Sequence, residues 1–145
     1  MSEIKTILFA TDYSAGSERA CTTARTLAQA CGARLVVLHV VNQFTDPQAR
    51  YLSAEVIDSL IREVETHAVD EMRRFAKRNF DGLDYETEVQ MGRASEEILR
   101  CADKVKADLI VMGTQGRAGL EKLFVGSTAE KILRKSRIPV LTVRD

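Results

Sequence analysis

The sequence has no excess of charge of either sign and no long apolar run. Lys and Arg total 21, as do Asp and Glu, so the formal net charge is zero. Because nucleic-acid-binding domains usually concentrate basic residues on one face, this balance argues against a nucleic-acid partner. The longest apolar run, Leu35–Val41, has the length of a strand, whereas a helix across a bilayer needs about 20 apolar residues. The composition therefore predicts neither a nucleic-acid partner nor a membrane span.

Cysteine is scarce, and the N-terminus does not have the pattern of a signal peptide. Cys21, Cys31 and Cys101 include no Cys-x-x-Cys pair. On one helix Cys21 and Cys31 would stand about 15 Å apart, too far for a disulfide. The first apolar run is preceded and interrupted by charged residues, and no cleavage site follows it. These features favour reduced thiols and a cytoplasmic location.

The motifs of several enzyme classes are missing. No Walker lysine follows the C-terminal glycines, and the sequence contains no GxGxxG, GxSxG or HExxH and no Cys/His set at metal-ligand spacing. No pair of nucleophile and base stands out. We interpret His39 as a structural histidine and His67 as an exposed residue on a helix. The sequence therefore predicts no dedicated catalytic residue.

What the chain does have is a regular alternation of strand and helix. Continuously apolar segments such as Leu35–Val41 are typical of strands buried on both faces of a parallel sheet. The alternation predicts a single α/β domain, residues 1–145, with an open five-stranded parallel sheet of order 3-2-1-4-5, helices on both faces and a Rossmann-like nucleotide-binding fold. The predicted strands and helices, in chain order, are Ile4–Thr11, Ser14–Ala30, Leu35–Val41, Leu52–Arg78, Asp84–Met91, Ala94–Lys106, Asp108–Gly113, Ser127–Lys135 and Ile138–Val143.

The helix Leu52–Arg78 has an amphipathic pattern along its whole length. Apolar residues recur every three or four positions, and charged residues occupy the opposite face. Its basic cluster, EMRRFAKR, is interpreted as a solvated helix face because acidic residues interleave upstream. The polar segment Asn42–Arg50, which precedes the helix and contains Pro47, is predicted to be a loop.

Two unusual features follow predicted strands. Asp12 comes after the first strand, and Gly113 comes after the fourth. Strands 1 and 4 are neighbours in a 3-2-1-4-5 sheet and flank the switch point, where such sheets bind ligands. Asp12 could accept a ribose hydroxyl or bind a phosphate-bound Mg²⁺, or it could only form an Asx-type turn or cap. Val40 would line the same crevice, and is equally well explained as a core valine.

The glycines near the C-terminus offer backbone groups to an anion. Gly113 and Gly116 can take positive φ and let backbone N–H groups approach a phosphate without an intervening Cβ. Gly126 precedes a helix that begins at Ser127, and the first N–H groups of a helix form a ready anion site. Arg117 could neutralise phosphate charge, as could Lys122.

The same glycines have a simpler explanation. Ser127 and Glu130 have the spacing of a capping box, in which each side chain bonds the other residue's backbone N–H. Gly113 and Gly116 could form only a tight turn between strand and helix. The residues alone leave both interpretations open.

The sequence resembles the universal stress protein family from Ile4 to Val143. The resemblance is carried by ILFATDYSAGSERA, by LVVLHVV and by the whole segment from Met91 to Val143. Its most specific part is the spacing Gly-x2-Gly-x9-Gly-Ser, which marks the family's ATP-binding subgroup. Gln115 and Ala94 depart from the His or Ser and the Pro that are frequent there. The residues that meet the spacing are Gly113, Gly116, Gly126 and Ser127.

This resemblance implies a nucleotide site. In the list below, which is in chain order, Thr11 and Asp12 would lie beside the nucleotide and Val40 would contact the adenine. Met112 and Gly113 would border the base and ribose. The four residues that follow them would hold the phosphates. The site residues implied are Thr11, Asp12, Val40, Met112, Gly113, Gly116, Gly126, Ser127 and Thr128.

The family likeness also implies a function. We expect an ATP-binding stress-response module that takes ATP with Mg²⁺, forms a homodimer through Ile138–Val143 and meets an unknown protein partner. Its segment Thr114–Val125 would order when phosphates arrive. One alternative is a slow ATPase, for which Asp12 and Gln115 are conceivable water-positioning residues. The other is a nucleotide-free dimeric interaction protein.

Overall fold

This computed structural model describes residues 3–14, 17–42, 50–114 and 126–144. In these residues strands and helices alternate along the chain, as predicted. The five strands are parallel, in the order β3-β2-β1-β4-β5. The elements are β1 (Thr6–Ala10), α1 (Glu18–Cys31), β2 (Arg34–Asn42), α2 (Ala54–Phe80), β3 (Tyr85–Gly92), α3 (Ala94–Val105), β4 (Leu109–Gly113), α4 (Ser127–Lys135) and β5 (Val140–Val143).

Two hydrophobic layers cover the sheet, one on each face. The alternation of side chains along β1 sends Ile7 and Phe9 towards α1 and α2, whereas Leu8 and Ala10 face α3 and α4. All four side chains are buried, which explains why the strand is continuously apolar. β3 is an edge strand that pairs with β2, and its exposed residues confirm the predicted, more solvated third strand.

Several element boundaries differ from the prediction by a few residues, and two of these differences have clear local reasons. α1 begins at Glu18 instead of Ser14, because residues 11–14 form a hydrogen-bonded turn that continues from β1. β5 begins at Val140 instead of Ile138. Pro139, which has no N–H to donate, comes directly before it, and its carbonyl accepts a bond from Ile110 N at 3.0 Å.

α2 is longer than the strand that leads into it, and its N-terminal turns are exposed. Its 27 residues span about 40 Å at 1.5 Å per residue, whereas the nine residues of β2 span about 30 Å. The apolar pattern predicted the helix correctly, but Val56 and Val64 on it, and Leu52 just before it, are 42–45% exposed. The buried residues of α2 all lie in its C-terminal half: Ala68, Met72, Ala76 and Phe80.

The three cysteines form no disulfide in this structure. Cys21 and Cys101 are buried, whereas Cys31 is exposed. In the described ranges, none of the helices combines the length and the apolar character that crossing a bilayer requires.

Candidate functional site

A cleft of about 660 Å³ opens at the carboxyl ends of β1, β2 and β4. β1 and β4 are neighbours, but the chain leaves β1 for α1 on one face and β4 for α4 on the other. This divergence creates the switch-point crevice of an open parallel sheet; we call it the switch-point cleft. The residues predicted to bind nucleotide that line it are Thr11, Asp12, Val40, Met112, Gly113, Gly126, Ser127 and Thr128.

Some predicted residues lie outside the described ranges. These are Gly116, the candidate cations Arg117 and Lys122, and Gln115. Most of the predicted loop Asn42–Arg50 and of the segment Thr114–Val125 is also outside them.

Asp12 lies in the turn that leads out of β1. Its Oδ1 accepts the backbone N–H of Ser14 at 2.9 Å, which is the Asx turn that the sequence left open. A turn of this kind does not exclude a ligand, because an ionised carboxylate has about four acceptor positions on two oxygens. Asp12 therefore borders the cleft with its orientation fixed by the backbone of its own turn.

Thr11 holds this turn together from inside the protein. Its backbone N–H donates to Leu38 O at 2.9 Å, and its Oγ1 accepts Tyr13 N–H at 3.0 Å. Ser17 Oγ donates its only hydrogen to Ser14 O at 2.8 Å. In the 3.1 Å pair between the two hydroxyls, Thr11 must therefore be the donor and Ser17 the acceptor.

His39 fixes the other side of the same turn. Its Nδ1 lies 2.8 Å from Thr11 O, and because a carbonyl only accepts, Nδ1 carries a proton. Tyr13 has a left-handed φ of 63°, and its ring centroid lies 4.2 Å from that of His39. His39 thus has the hydrogen-bonded role of a structural histidine. His67 is exposed, as predicted.

The two described glycines at this cleft, Gly113 and Gly126, do not use the positive φ that glycine permits. Gly113 is the last residue of β4 and pairs with Val143, so it is extended and does not take the positive φ that is open to it. Gly126 is the N-cap of α4, with φ −60° and ψ 156°, a region open to any residue. Neither glycine is therefore required by an unusual backbone angle.

The capping-box interpretation of Ser127 and Glu130 is wrong. Ser127 is the first helical residue of α4, one position after the N-cap Gly126, which has no side chain to form a cap. The Glu130 carboxylate instead accepts from Arg134 one turn further on, at 2.8 Å. The Ser127 hydroxyl is therefore not engaged in capping, which removes an objection to its binding a ligand.

The N-terminus of α4 presents backbone donors at the cleft. The N–H of Glu130 bonds Gly126 O at 2.9 Å and is the first to close a helical turn. The three preceding amides, those of Ser127, Thr128 and Ala129, have no partner within the helix. The helix dipole adds about half a positive charge there. Since all three residues line the cleft, this end of it can bind an anion.

The part of the lining that comes from β2 and α3 is mainly apolar. It combines the end of β2 with the start of α3, whose residues Ala94 and Ile98 sequence reasoning missed. Nothing in the sequence marks these two as lining a ligand site, because they also match the ordinary inward face of an amphipathic helix. Among the described lining residues, Asp12 is the only one with a formal charge.

Similar proteins are known. The family model described as "Universal stress protein family" matches residues 3–144. A Thermus aquaticus protein, "Universal stress protein in QAH/OAS sulfhydrylase 3'region", is 36% identical over 140 residues, covering 97% of this chain and 98% of its own.

Solved structures share the fold as well. The structure of the protein MJ0577 of Methanocaldococcus jannaschii superposes with a TM-score of 0.86 at 26% identity, over 99% of this chain and 98% of that one. A universal stress protein in complex with cAMP superposes with a TM-score of 0.62 at 28% identity, over 99% and 98% of the two chains.

Proposed function

The chain belongs to the universal stress protein family, and from that membership and its geometry we propose that the switch-point cleft binds an adenine nucleotide, ATP with Mg²⁺. The observation that carries this proposal is that apolar side chains and the donor-bearing N-terminus of α4 line one cleft of about 660 Å³. That pairing matches a ligand with an apolar ring at one end and anionic groups at the other. A relative solved with cAMP supports the ligand class.

The base and ribose lie along the strand ends. Val40 and Met112 supply apolar surface for the adenine, and Gly113 lets the ribose approach β4 without a Cβ in the way. Asp12 accepts a ribose hydroxyl or meets the Mg²⁺ that the nucleotide brings. The described residues contain no cluster of three metal-ligating side chains. Mg²⁺ does not need one, because it is commonly held by one or two carboxylates, substrate phosphates and water.

The phosphates lie against α4. Because the φ and ψ of Gly126 suit any residue, the absence of a side chain there is explained by close approach of the ligand. The amides of Ser127 and Thr128 donate to phosphate oxygens, and the Ser127 hydroxyl adds a further donor. Gly116 belongs to the same proposal through the family's glycine spacing.

Nucleotide binding would regulate contacts with other proteins. Within the described residues β5 pairs on one side, with β4, and lies at the edge of the sheet. Leu141 on this strand is 37% exposed, and an edge of this kind can pair with a second chain. We therefore propose a homodimer through β5, with an ATP-dependent change in segment 114–125 that alters how an unidentified partner binds.

The first experiment is to denature freshly purified protein and to identify any released nucleotide by chromatography. The protein should then be stripped and titrated with ATP, with and without Mg²⁺, in a calorimeter. Saturable binding of ATP near one per chain supports the proposal, and recovery of intact ATP after long incubation with the protein argues against the slow ATPase. A stripped, folded protein that shows no heat and no thermal shift with ATP and Mg²⁺ would leave the nucleotide-free interaction protein as the better explanation.

A further inference from the structure

A second cavity, of about 450 Å³, lies between α1 and α2 on one face of the sheet. We call it the α1–α2 groove. Its volume is within the range of about 300–1,000 Å³ typical of small-molecule sites. Its lining includes Ser14, Cys21, Thr22, Arg25, Arg74 and Arg78.

The charges of this groove are separated along its length. Each helix carries a glutamate followed seven residues later by an arginine, Glu18 and Arg25 on α1 and Glu71 and Arg78 on α2. Seven residues correspond to about 10 Å of helix. Both helices connect parallel strands on the same face and therefore run in the same direction. The acids thus lie towards one end of the groove and the arginines towards the other, with Arg74 between them.

These arginines have no carboxylate partner among the described residues. Ion pairs within 4.0 Å occur elsewhere on the same helix, as between Arg73 and Asp70, but none involves Arg25, Arg74 or Arg78. Arg25 is half-buried, and its Nη1 donates to the carbonyl of Asn79 at 3.1 Å. Three guanidinium groups therefore border one cavity with most of their donors unused by other side chains.

Charged side chains of both helices affect the pKa of Cys21, a buried residue that lines the groove. Burial raises the pKa of the Cys21 thiol to about 11, while Arg25 and Arg78 act to lower it and Glu18 to raise it. Both arginines are therefore close enough to act on the same sulfur. Cys21 is a neutral thiol at pH 7, so it contributes apolar surface and is not a nucleophile.

The groove also contains a polar atom without a partner. Ser14 Oγ is buried and makes no hydrogen bond within the described residues. Buried hydroxyls nearly always bond to protein, water or ligand. Ser14 precedes Glu18 in the chain, so this atom lies towards the acid end of the groove and is not part of its arginine end.

We propose that the arginine end of the α1–α2 groove, formed by Arg25, Arg74 and Arg78, binds a small molecule carrying a phosphate or a carboxylate group. Guanidinium groups match the geometry of these oxyanions and bind them through paired N–H donors. The walls that face one another across the groove reduce solvent screening at half-buried Arg25. The groove shares Ser17 with the switch-point cleft, but none of the three arginines lines that cleft, so the proposal does not depend on nucleotide binding there.

The test is a titration followed by amide chemical shifts in the ¹⁵N-labelled protein. Inorganic phosphate and citrate are added separately, at constant ionic strength, so that the two arms distinguish a phosphate site from a carboxylate site. The test variant is the double substitution Arg74→Gln with Arg78→Gln, whose side chains are exposed. The matched control is Arg73→Gln, on the same helix but outside the lining of the groove.

We expect saturable shifts at the amides of Thr22 and Asn79 with at least one of the two anions. The double variant should weaken that binding roughly tenfold, since charge-assisted bonds are lost, and Arg73→Gln should leave it unchanged. The proposal is overturned if neither anion gives saturable shifts there, if Arg73→Gln weakens binding as much as the double variant does, or if the shifts are confined to Gly113 and Thr128.

Discussion

The switch-point cleft and the α1–α2 groove share Ser17 as a lining residue, yet they present positive charge in different ways. The cleft offers backbone N–H groups at the start of α4, whereas the groove offers three guanidinium side chains. A site made of backbone survives most side-chain substitutions and fails where a new Cβ blocks the approach. A site made of side chains fails when their charge is removed. The two cavities should therefore respond to different substitutions.

The largest expected effect separates the two cavities at α4. Gly126→Val places a branched side chain where the phosphates should approach, and ATP affinity should fall about 100-fold, or about 2.8 kcal/mol. Calorimetric titration of the stripped protein measures the change. Gly126→Ala serves as a graded comparison, and phosphate or citrate binding in the groove should be unaffected. If folded Gly126→Val protein binds ATP as the wild type does, the phosphates do not lie at this helix.

Substitutions in the α1–α2 groove test whether the switch-point cleft binds ATP independently of the groove. Arg74→Gln with Arg78→Gln should leave ATP affinity within about twofold of wild type, because exposed charges outside a site act weakly through solvent. The ATP titration used for Gly126→Val measures this. A large loss of ATP affinity in this double variant would mean that the two cavities are not independent.

A smaller effect is expected where the cavities meet. Ser17→Ala removes the hydroxyl that donates to Ser14 O and accepts from Thr11. Leaving these buried groups without a partner should lower the free energy of unfolding by about 1–3 kcal/mol, as measured by denaturant titration. The control is Thr22→Ala, an exposed position on α1, the helix that Ser17 precedes. Equal stability of Ser17→Ala and wild type would show that the hydroxyl network does not support the turn.

The fold could be predicted because its signals are local and consistent. Continuously apolar strands separated by amphipathic helices leave few alternatives to a parallel sheet covered on both faces, and the sheet order followed. The gathering of Asp12, Gly113 and Gly126 around one cleft was predictable for the same reason, because parallel strands place their carboxyl ends at one edge.

The features that the sequence did not predict depend on contacts between residues that are distant in the chain. The amphipathic pattern of α2 does not say which turns lie over the sheet, so the exposure of Leu52, Val56 and Val64 was not foreseen. Arg74 and Arg78 belong to a cluster interpreted as a solvated face, and only the position of α1 turns them into one wall of a groove. The left-handed Tyr13 has no sequence signal, because its conformation is fixed by Thr11 and His39.

The smallest effect compares the two faces of the sheet through their buried thiols. Burial raises the pKa of Cys21 from 9.0 to about 11 on the α1–α2 face. On the other face the pKa of Cys101 rises to about 12, because burial is reinforced by a 3.3 Å hydrogen bond to Glu88. In the folded protein both thiols keep their protons at pH values where the unfolded chain loses them. Stability is therefore fully present below pH 9.0 and falls as the pH rises towards these values.

Single substitutions should separate the two contributions. Each of Cys21→Ala and Cys101→Ala removes one titrating thiol, so each should reduce the slope of unfolding free energy against pH between 9.0 and about 11. Above that pH the Cys21 contribution levels off, and only Cys101→Ala should continue to flatten the curve. Cys31→Ala is the control, since an exposed thiol is solvated in both states. If neither substitution at a buried thiol changes the slope, water reaches both sulfurs, and the two faces of the sheet are equally permeable to it.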